Sequence, residues 1–284
     1  MRCFLYSIFV VFVFTSPALA QGLKLPAMSP KCSITQTSGL TEITINYSRP
    51  GVRGREIWGG LVPYEKVWRT GANAATTISI STDAVIQGQK LAAGTYSIHT
   101  IPGKYEWTVI FNTVADQWGS YAYDSAKDAL RIKVKPQTGP HVEWMTFSFP
   151  DIQWSLATIE LSWEKLRIPF KLEFDTHTRA MENIKTAMES LQDWTIPYDA
   201  ADYAFESNTN KEQAMEWIEH SISLKETYWN PRLKAAILAR DGKTAEAITT
   251  AENAVRIGKE NKDEPGEIAK TEKLIAEWKA EAPK

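Results

Sequence analysis

A mainly β N-terminal domain, an antiparallel β-sandwich or flattened barrel, followed by an all-α region of tetratricopeptide-like helical hairpins, is what the period of the apolar residues predicts. Between residues 32 and 174 apolar side chains alternate with polar ones, as in strands with one wet face; after Asp175 they recur every three or four residues, as in helices. The charge balance divides at the same place. Residues 21–174 carry 16 Lys and Arg against 13 Asp and Glu, whereas 175–284 carry 15 against 21. A slightly basic part and an acidic part, with a net charge of −2 overall, give no strongly basic surface, and nucleic-acid binding is not expected.

The chain opens with one cation, Arg2, then an apolar run to Phe14 and the small-residue stretch Pro17-Ala-Leu-Ala20 before Gln21. That pattern predicts a signal peptide over 1–20, removed on export, and hence a periplasmic or extracellular protein. The run is short for a bilayer span and no later stretch is longer, so no membrane span is expected after cleavage. Cys3 leaves with the signal and Cys32 has no partner for an internal disulfide. Residues 21–31 read as an irregular lead-in.

Strands follow in order. Ile43, Ile45 and Tyr47 alternate with Thr44 and Asn46; Ile78 and Ile80 alternate with serines; Leu130, Ile132 and Val134 alternate with Arg131 and Lys133. Gly94–Asn112 reads as a hairpin across Pro102-Gly103-Lys104, with Trp107, Val109 and Phe111 on one face. Two further strands are expected, one around Ile159, Leu161 and Trp163 and one around Ile168, Phe170, Leu172 and Phe174. Trp107, Trp144 and Trp163 fall in these patterns and are expected in the core.

In the helical region, 178–194 aligns Met181, Ile184, Met188 and Leu191. Lys211–Leu224 and Thr244–Ile257 start 33 residues apart and carry small residues where helices would cross closely, a register similar to tetratricopeptide repeats. A last helix over 264–280 would cap the array. The acidic balance of this region favours a basic protein partner.

The segment 47–77 is the one stretch that neither periodicity nor turn-making accounts for. It holds Arg49, Arg53, Arg55 and Arg69, the indoles of Trp58 and Trp68, and five glycines. Planar guanidinium groups, with Thr70 and Asn73, suit a small anionic ligand; the competing reading is that the arginines pin a long loop by donating to its carbonyls. Trp118 and Tyr121, in a second loop-like segment, suit stacking on a glycan-like ligand. His99 stands one residue out of phase with Tyr96 and Ile98 and would face the arginine loop, if it is not simply exposed or hydrogen-bonded. The ligand-binding set is therefore Arg49, Arg53, Arg55, Trp68, Arg69, Thr70, Asn73, His99, Trp118 and Tyr121.

No recognised catalytic template is present, and the leaning is towards a non-catalytic protein. There is no Gly-x-Ser-x-Gly elbow, phosphate loop or dinucleotide fingerprint, so no cofactor is expected, and four scattered histidines with no Cys cluster predict no metal site. Asp116 and Asp124 flank Trp118 and Tyr121 and would support a hydrolase of envelope glycans or peptides only if they converge. A purely structural assembly factor is the third possibility.

Several of these segments carry a family resemblance. Tyr47-Ser-Arg-Pro-Gly-Val-Arg-Gly-Arg55, Gly59-Gly-Leu-Val-Pro-Tyr64, Val67–Thr77, Ala93-Gly-Thr-Tyr-Ser97, Trp107–Asn112 and Asp116–Asp124 resemble the bacterial envelope family called domain of unknown function 2911. The resemblance covers roughly 29–174. It implies a secreted, predominantly β domain, followed in some members by tetratricopeptide-like helices, and it implies no activity.

Overall fold

The computed structural model describes residues 25–190 and 193–281. The expected signal peptide over 1–20 and the expected stripe residue Leu191 lie outside these. Two compact units are present: a β unit made of the stretch ending at Gln36 with Glu42–Ile152 and Ala157–Leu172, and a helical unit made of Glu173 onward with two hairpin tips, Thr37–Thr41 and Gln153–Leu156.

The β unit contains ten strands: β1 (Lys31–Ser38), β2 (Thr41–Ser48), β3 (Thr76–Ile80), β4 (Ala84–Ile86), β5 (Gln89–Leu91), β6 (Gly94–Ile101), β7 (Trp107–Asn112), β8 (Asp128–Val134), β9 (Gln137–Gln153) and β10 (Leu156–Glu173). They form a six-stranded sheet in the order β1-β2-β3-β6-β7-β8 and a four-stranded sheet in the order β5-β4-β10-β9. Neither sheet closes on itself, so the arrangement is the sandwich and not the barrel.

Alternation decides what the sheets bury. Ile43, Ile45 and Tyr47 of β2, Ile78 and Ile80 of β3, and Val109 and Phe111 of β7 face inward. There Phe111 meets Phe170 edge to face at 6.0 Å and Tyr47 meets Phe147 at 5.0 Å. An indole cluster fills one part of the core: Trp58 lies 4.9 Å from Trp107 and 5.6 Å from Trp163, and Trp68 stacks on Trp163 at 5.8 Å.

Three sequence expectations need correction here. The two strands expected near 159–163 and 168–174 are one long strand, β10, whose irregularity is confined to Glu164 at a φ of 53°. Strand β9 runs through Pro140 and Pro150. It tolerates them because it is the edge of its sheet, where an amide need not be donated. Trp144 on β9 is not core: Met145 and Phe147 are the inward residues, so Trp144 is 38% exposed under the Arg53 guanidinium, 5.5 Å from its ring. The pair β4 and β5, three residues each, was not read at all. They are joined by Gln87 and Gly88 with both φ values positive, 51° and 76°, the conformation a two-residue hairpin turn requires.

The helical unit holds α1 (Thr176–Ser190), α2 (Thr195–Glu206), α3 (Lys211–Leu224), α4 (Trp229–Arg240), α5 (Thr244–Asn261) and α6 (Pro265–Glu281). Small residues let the helices approach: Ala201, Ala204 and Ala214 pack with Ile218, Leu233 and Ile237 in one cluster, and Ala235, Ala251 and Ala254 pack with Tyr228, Ile268 and Ile275 in another. Helices α2 and α4 escaped the periodic reading. Their signal is proline in the first turn, Pro197 and Pro231, where a missing amide costs nothing.

Candidate functional site

The arginine-rich segment is held rigid by its own cations. Arg49 donates through Nε to the Met145 carbonyl at 2.9 Å and through a terminal nitrogen to Thr146 Oγ1 at 2.6 Å. Arg53 donates to the Met28 carbonyl at 2.7 Å, and Arg55 to the carbonyls of Gly51 at 2.6 Å and Val52 at 3.1 Å. Each of these three arginines therefore pins the loop to a different set of acceptors. Arg69 differs from them: its Nε is buried without a hydrogen-bond partner.

The rest of that segment serves the core and a rim. Trp68 extends the sheet beside β6 by exchanging both backbone bonds with Thr100, each at 2.8 Å, and this places its indole in the aromatic cluster. Trp68 is consequently a packing residue, with its indole nitrogen donating to the Gly71 carbonyl. Thr70 adopts a φ of 52°, a costly conformation for a β-branched residue. It is secured there by contacts of its hydroxyl with Thr100 Oγ1 at 3.1 Å and by Thr76 Oγ1 donating to its carbonyl at 2.6 Å. Asn73, at a φ of 60°, donates to Ser29 and Ser48.

A row of polar residues crosses the outer face of the six-stranded sheet. Register pairs Asn46 with Thr77, Thr77 with Ser97, Ser97 with Asn112 and Asn112 with Asp128, so five strands each contribute one side chain. One end of this row is buried beneath the 113–124 loop. Gln117 Nε2 donates to Ser97 Oγ at 3.1 Å and to the Val114 carbonyl at 2.7 Å; Asn112 Nδ2 donates to Asp128 at 2.8 Å; Tyr123 and Arg131 both donate to Asp128 Oδ2 at 2.7 Å. Burial, and then the bond to Asp128, pushes the Tyr123 hydroxyl up to about 12.

His99 lies in this buried end, fully covered, with its ring 5.0 Å from that of Tyr123. Of the three alternatives, exposed, hydrogen-bonded or facing the arginine loop, the ring is buried with its Nδ1 3.5 Å from Ser97 Oγ, and the loop that covers it is 113–124. Burial lowers its pKa, with the Gly119 carbonyl and Asp128 pulling weakly the other way, so the ring is neutral near pH 7. Among the described residues, His99 Nε2 and Gln117 Oε1 are buried without partners.

The other end of the row opens into a hollow of about 700 Å³. Asn46, Ser48 and Thr77 supply neutral polar groups, Lys31 and Asp116 supply opposite charges, and Cys32 and Tyr47 complete the β-strand side. Burial, and then the Cys32 side chain, pushes the Tyr47 hydroxyl up to about 12; it accepts from the Phe147 amide at 3.1 Å. Ala74 and Ala75 form the remaining wall and are tied to the second loop, Ala75 N donating to the Gln117 carbonyl at 2.9 Å and Ala74 pairing with Trp118.

Trp118, two residues from Asp116 and opposite Ala74, is 69% exposed, and Tyr121 is 89% exposed with its ring folded over Gly119. Of the sequence-derived set, Asn73 and Trp118 adjoin wall residues, through Ser48 and Ala74, and Tyr121 follows in the Trp118 loop, whereas Arg49, Arg53, Arg55, Trp68 and His99 are held elsewhere by the contacts above. Sequence reasoning missed Asn46, Ser48, Thr77 and Lys31; the signal that could have found them is the register of the outer face. Asp124 accepts from the Ala126 amide at 2.9 Å as the cap of a short 3-10 turn, Ser125–Lys127, so only Asp116 of the expected carboxylate pair is in the wall. Among the described residues no group of three or more His, Cys, Asp or Glu side chains could hold a metal ion.

Fold and site together define a two-sheet β-domain carrying a polar hollow on its larger sheet, continued by a helical-hairpin region. Residues 29–172 match the family described as protein of unknown function (DUF2911), and the chain belongs to that family. Neither a curated protein nor a solved structure matches it.

Proposed function

We propose that this is an exported protein whose β-domain binds, without catalysis, a neutral sugar-like ligand in the hollow at the Asn46–Thr77 end of the polar row. The observation that carries the reading is the combination of walls. Hydroxyl and amide groups of Asn46, Ser48 and Thr77 suit a polyol, and an exposed indole at Trp118, bridged to the wall residue Ala74, offers a flat apolar face for a pyranose ring. The rim is also pre-formed, because Thr70 and Asn73 are held at positive φ and the 113–124 loop is anchored from below. Export rests on the charged, apolar and small-residue pattern of 1–20, and an N-terminus at Gln21 in the secreted protein would support it.

Differential scanning fluorimetry with oligomers of N-acetylglucosamine and with inorganic phosphate tests the ligand class. A ligand that binds only the native state adds about 2.7 kcal/mol at a concentration of a hundred times its Kd. The sugar is expected to raise Tm and phosphate to leave it unchanged, with the sugar response lost in Trp118→Ala. Stabilisation by phosphate that disappears in Arg69→Ala would instead favour an anion site at Arg69. That second reading is motivated by its buried, unpartnered Nε.

A further inference from the structure

Helix α1 of the helical unit is poorly seated. Its stripe of Met181, Ile184 and Met188 is only half-buried and lies beside a cavity of about 560 Å³ that Trp217 of α3 closes. On the other side of α1 a second groove, of about 450 Å³, is walled mainly by apolar groups, and Ile184 belongs to both. Packed helices do not ordinarily leave such volumes on two sides of one amphipathic stripe.

The second groove has a defined shape. The hairpin tips supply Leu40 and Trp154, 45% and 50% exposed, while α2 supplies Ile196 and Tyr203. Trp154 is fixed flat against Tyr203, their rings 5.7 Å apart and 18° from parallel. The tip holding Leu40 is clamped as well, since Thr176 Oγ1 and Ser38 Oγ donate to the carbonyls of Trp154 and Gln153 at 2.6 and 2.7 Å. The walls are thus rigid, mainly apolar surfaces, with Leu40 and Trp154 open to solvent.

One charge stands in this wall. Asp199 of α2 lines the groove and is largely exposed; its partial burial, then the like charge of Asp193, raises its pKa. Asp202, further along the same helix, is raised by its own burial and by Glu206 and Asp199. Among the described residues no Lys, Arg or His pairs with Asp199 within 4.0 Å. An apolar trough with an uncompensated carboxylate in its wall is complementary to a cation carried on an apolar body.

We propose that the groove between the hairpin tips and helices α1 and α2 docks a short apolar peptide stretch of a protein partner bearing one lysine or arginine, whose cation pairs with Asp199. Its volume suits a few side chains rather than a whole helix. The inference stands apart from the sugar reading, because no residue of the hollow takes part in it.

Fluorescence anisotropy of the full chain with fluorescein-labelled pentapeptides LLKLL, LLQLL and LLELL tests it. LLKLL is expected to bind saturably, LLQLL about fivefold more weakly, the worth of a solvent-edge ion pair, and LLELL more weakly still. Asp199→Asn should equalise LLKLL and LLQLL, and Leu40→Ser should weaken all three; both positions are exposed, so each variant should fold as the parent does. Equal affinities in the parent chain, a lysine preference that survives Asp199→Asn, or no saturable binding of LLKLL would overturn the proposal.

Discussion

Two tryptophans separated by eleven positions show how differently one residue type is used. Trp107 is enclosed by Trp58 and Trp68 in the core, whereas Trp118, bridged to the wall residue Ala74, stands mostly in solvent. Replacing Trp107 by alanine should cost about 3–5 kcal/mol in urea unfolding, the range for removing a large aromatic from a packed interior. Trp118→Ala should change stability by no more than about 0.5 kcal/mol. Arg49 gives a third outcome. Its loss leaves a carbonyl and a hydroxyl without their charged donor, so Arg49→Ala should destabilise by about 1.5–3 kcal/mol, and lysine should rescue little because it lacks the planar fork. His99 supplies the pH dependence. Its folded pKa lies below the ordinary 6.5, so the unfolded chain binds the extra proton first and stability falls as pH drops below about 6.5. Urea midpoints between pH 7.5 and 5 should show this fall, and His99→Gln should flatten it. The arginines dominate the composition of 47–77, yet their partners are carbonyls as distant as Met28 and Met145. No local pattern announces such a bond, so the sequence leaves the pin and the ligand reading of these cations both open.

At the scale of elements, what was legible follows from exposure. Strands β2, β3, β7 and β8 each keep an inward apolar face and were readable by alternation. Strand β10 buries residues of both parities, Ala157 to Ile159 and Leu161 to Trp163, so alternation finds its two halves but not their continuity. The polar row was hidden for a related reason. Asn46, Thr77, Ser97 and Asn112 look like ordinary wet-face residues one strand at a time, and only register gathers them. Two glycines separate the effects that shape the turns. Gly88, at a φ of 76°, has open space where a Cβ would go, so Gly88→Ala should cost about 1 kcal/mol for conformation alone. Gly39, at 55°, would drive a Cβ into the Trp154 carbonyl and the Thr176 side chain, and Gly39→Ala should cost clearly more. Equal midpoints for the two variants would contradict the clamped hairpin tip.

For the molecule as a whole, the division into a β part and a helical part was visible in the change of period near residue 175, but the unit boundary is not a single point in the chain. The tips Thr37–Thr41 and Gln153–Leu156 group with the helices, through bonds such as Thr176 Oγ1 to the Trp154 carbonyl. Sequence pattern carries no trace of that exchange, because the tips are turns by composition wherever they pack. The central claim is that the β-domain receives a sugar in the outer-face hollow. Hydrogen exchange of the full chain with and without an N-acetylglucosamine oligomer measures it most directly. Protection confined to 31–33, 46–48, 74–77 and 115–121 is the predicted result; protection centred on the arginine pins or the helices, or none at saturating sugar, would contradict it.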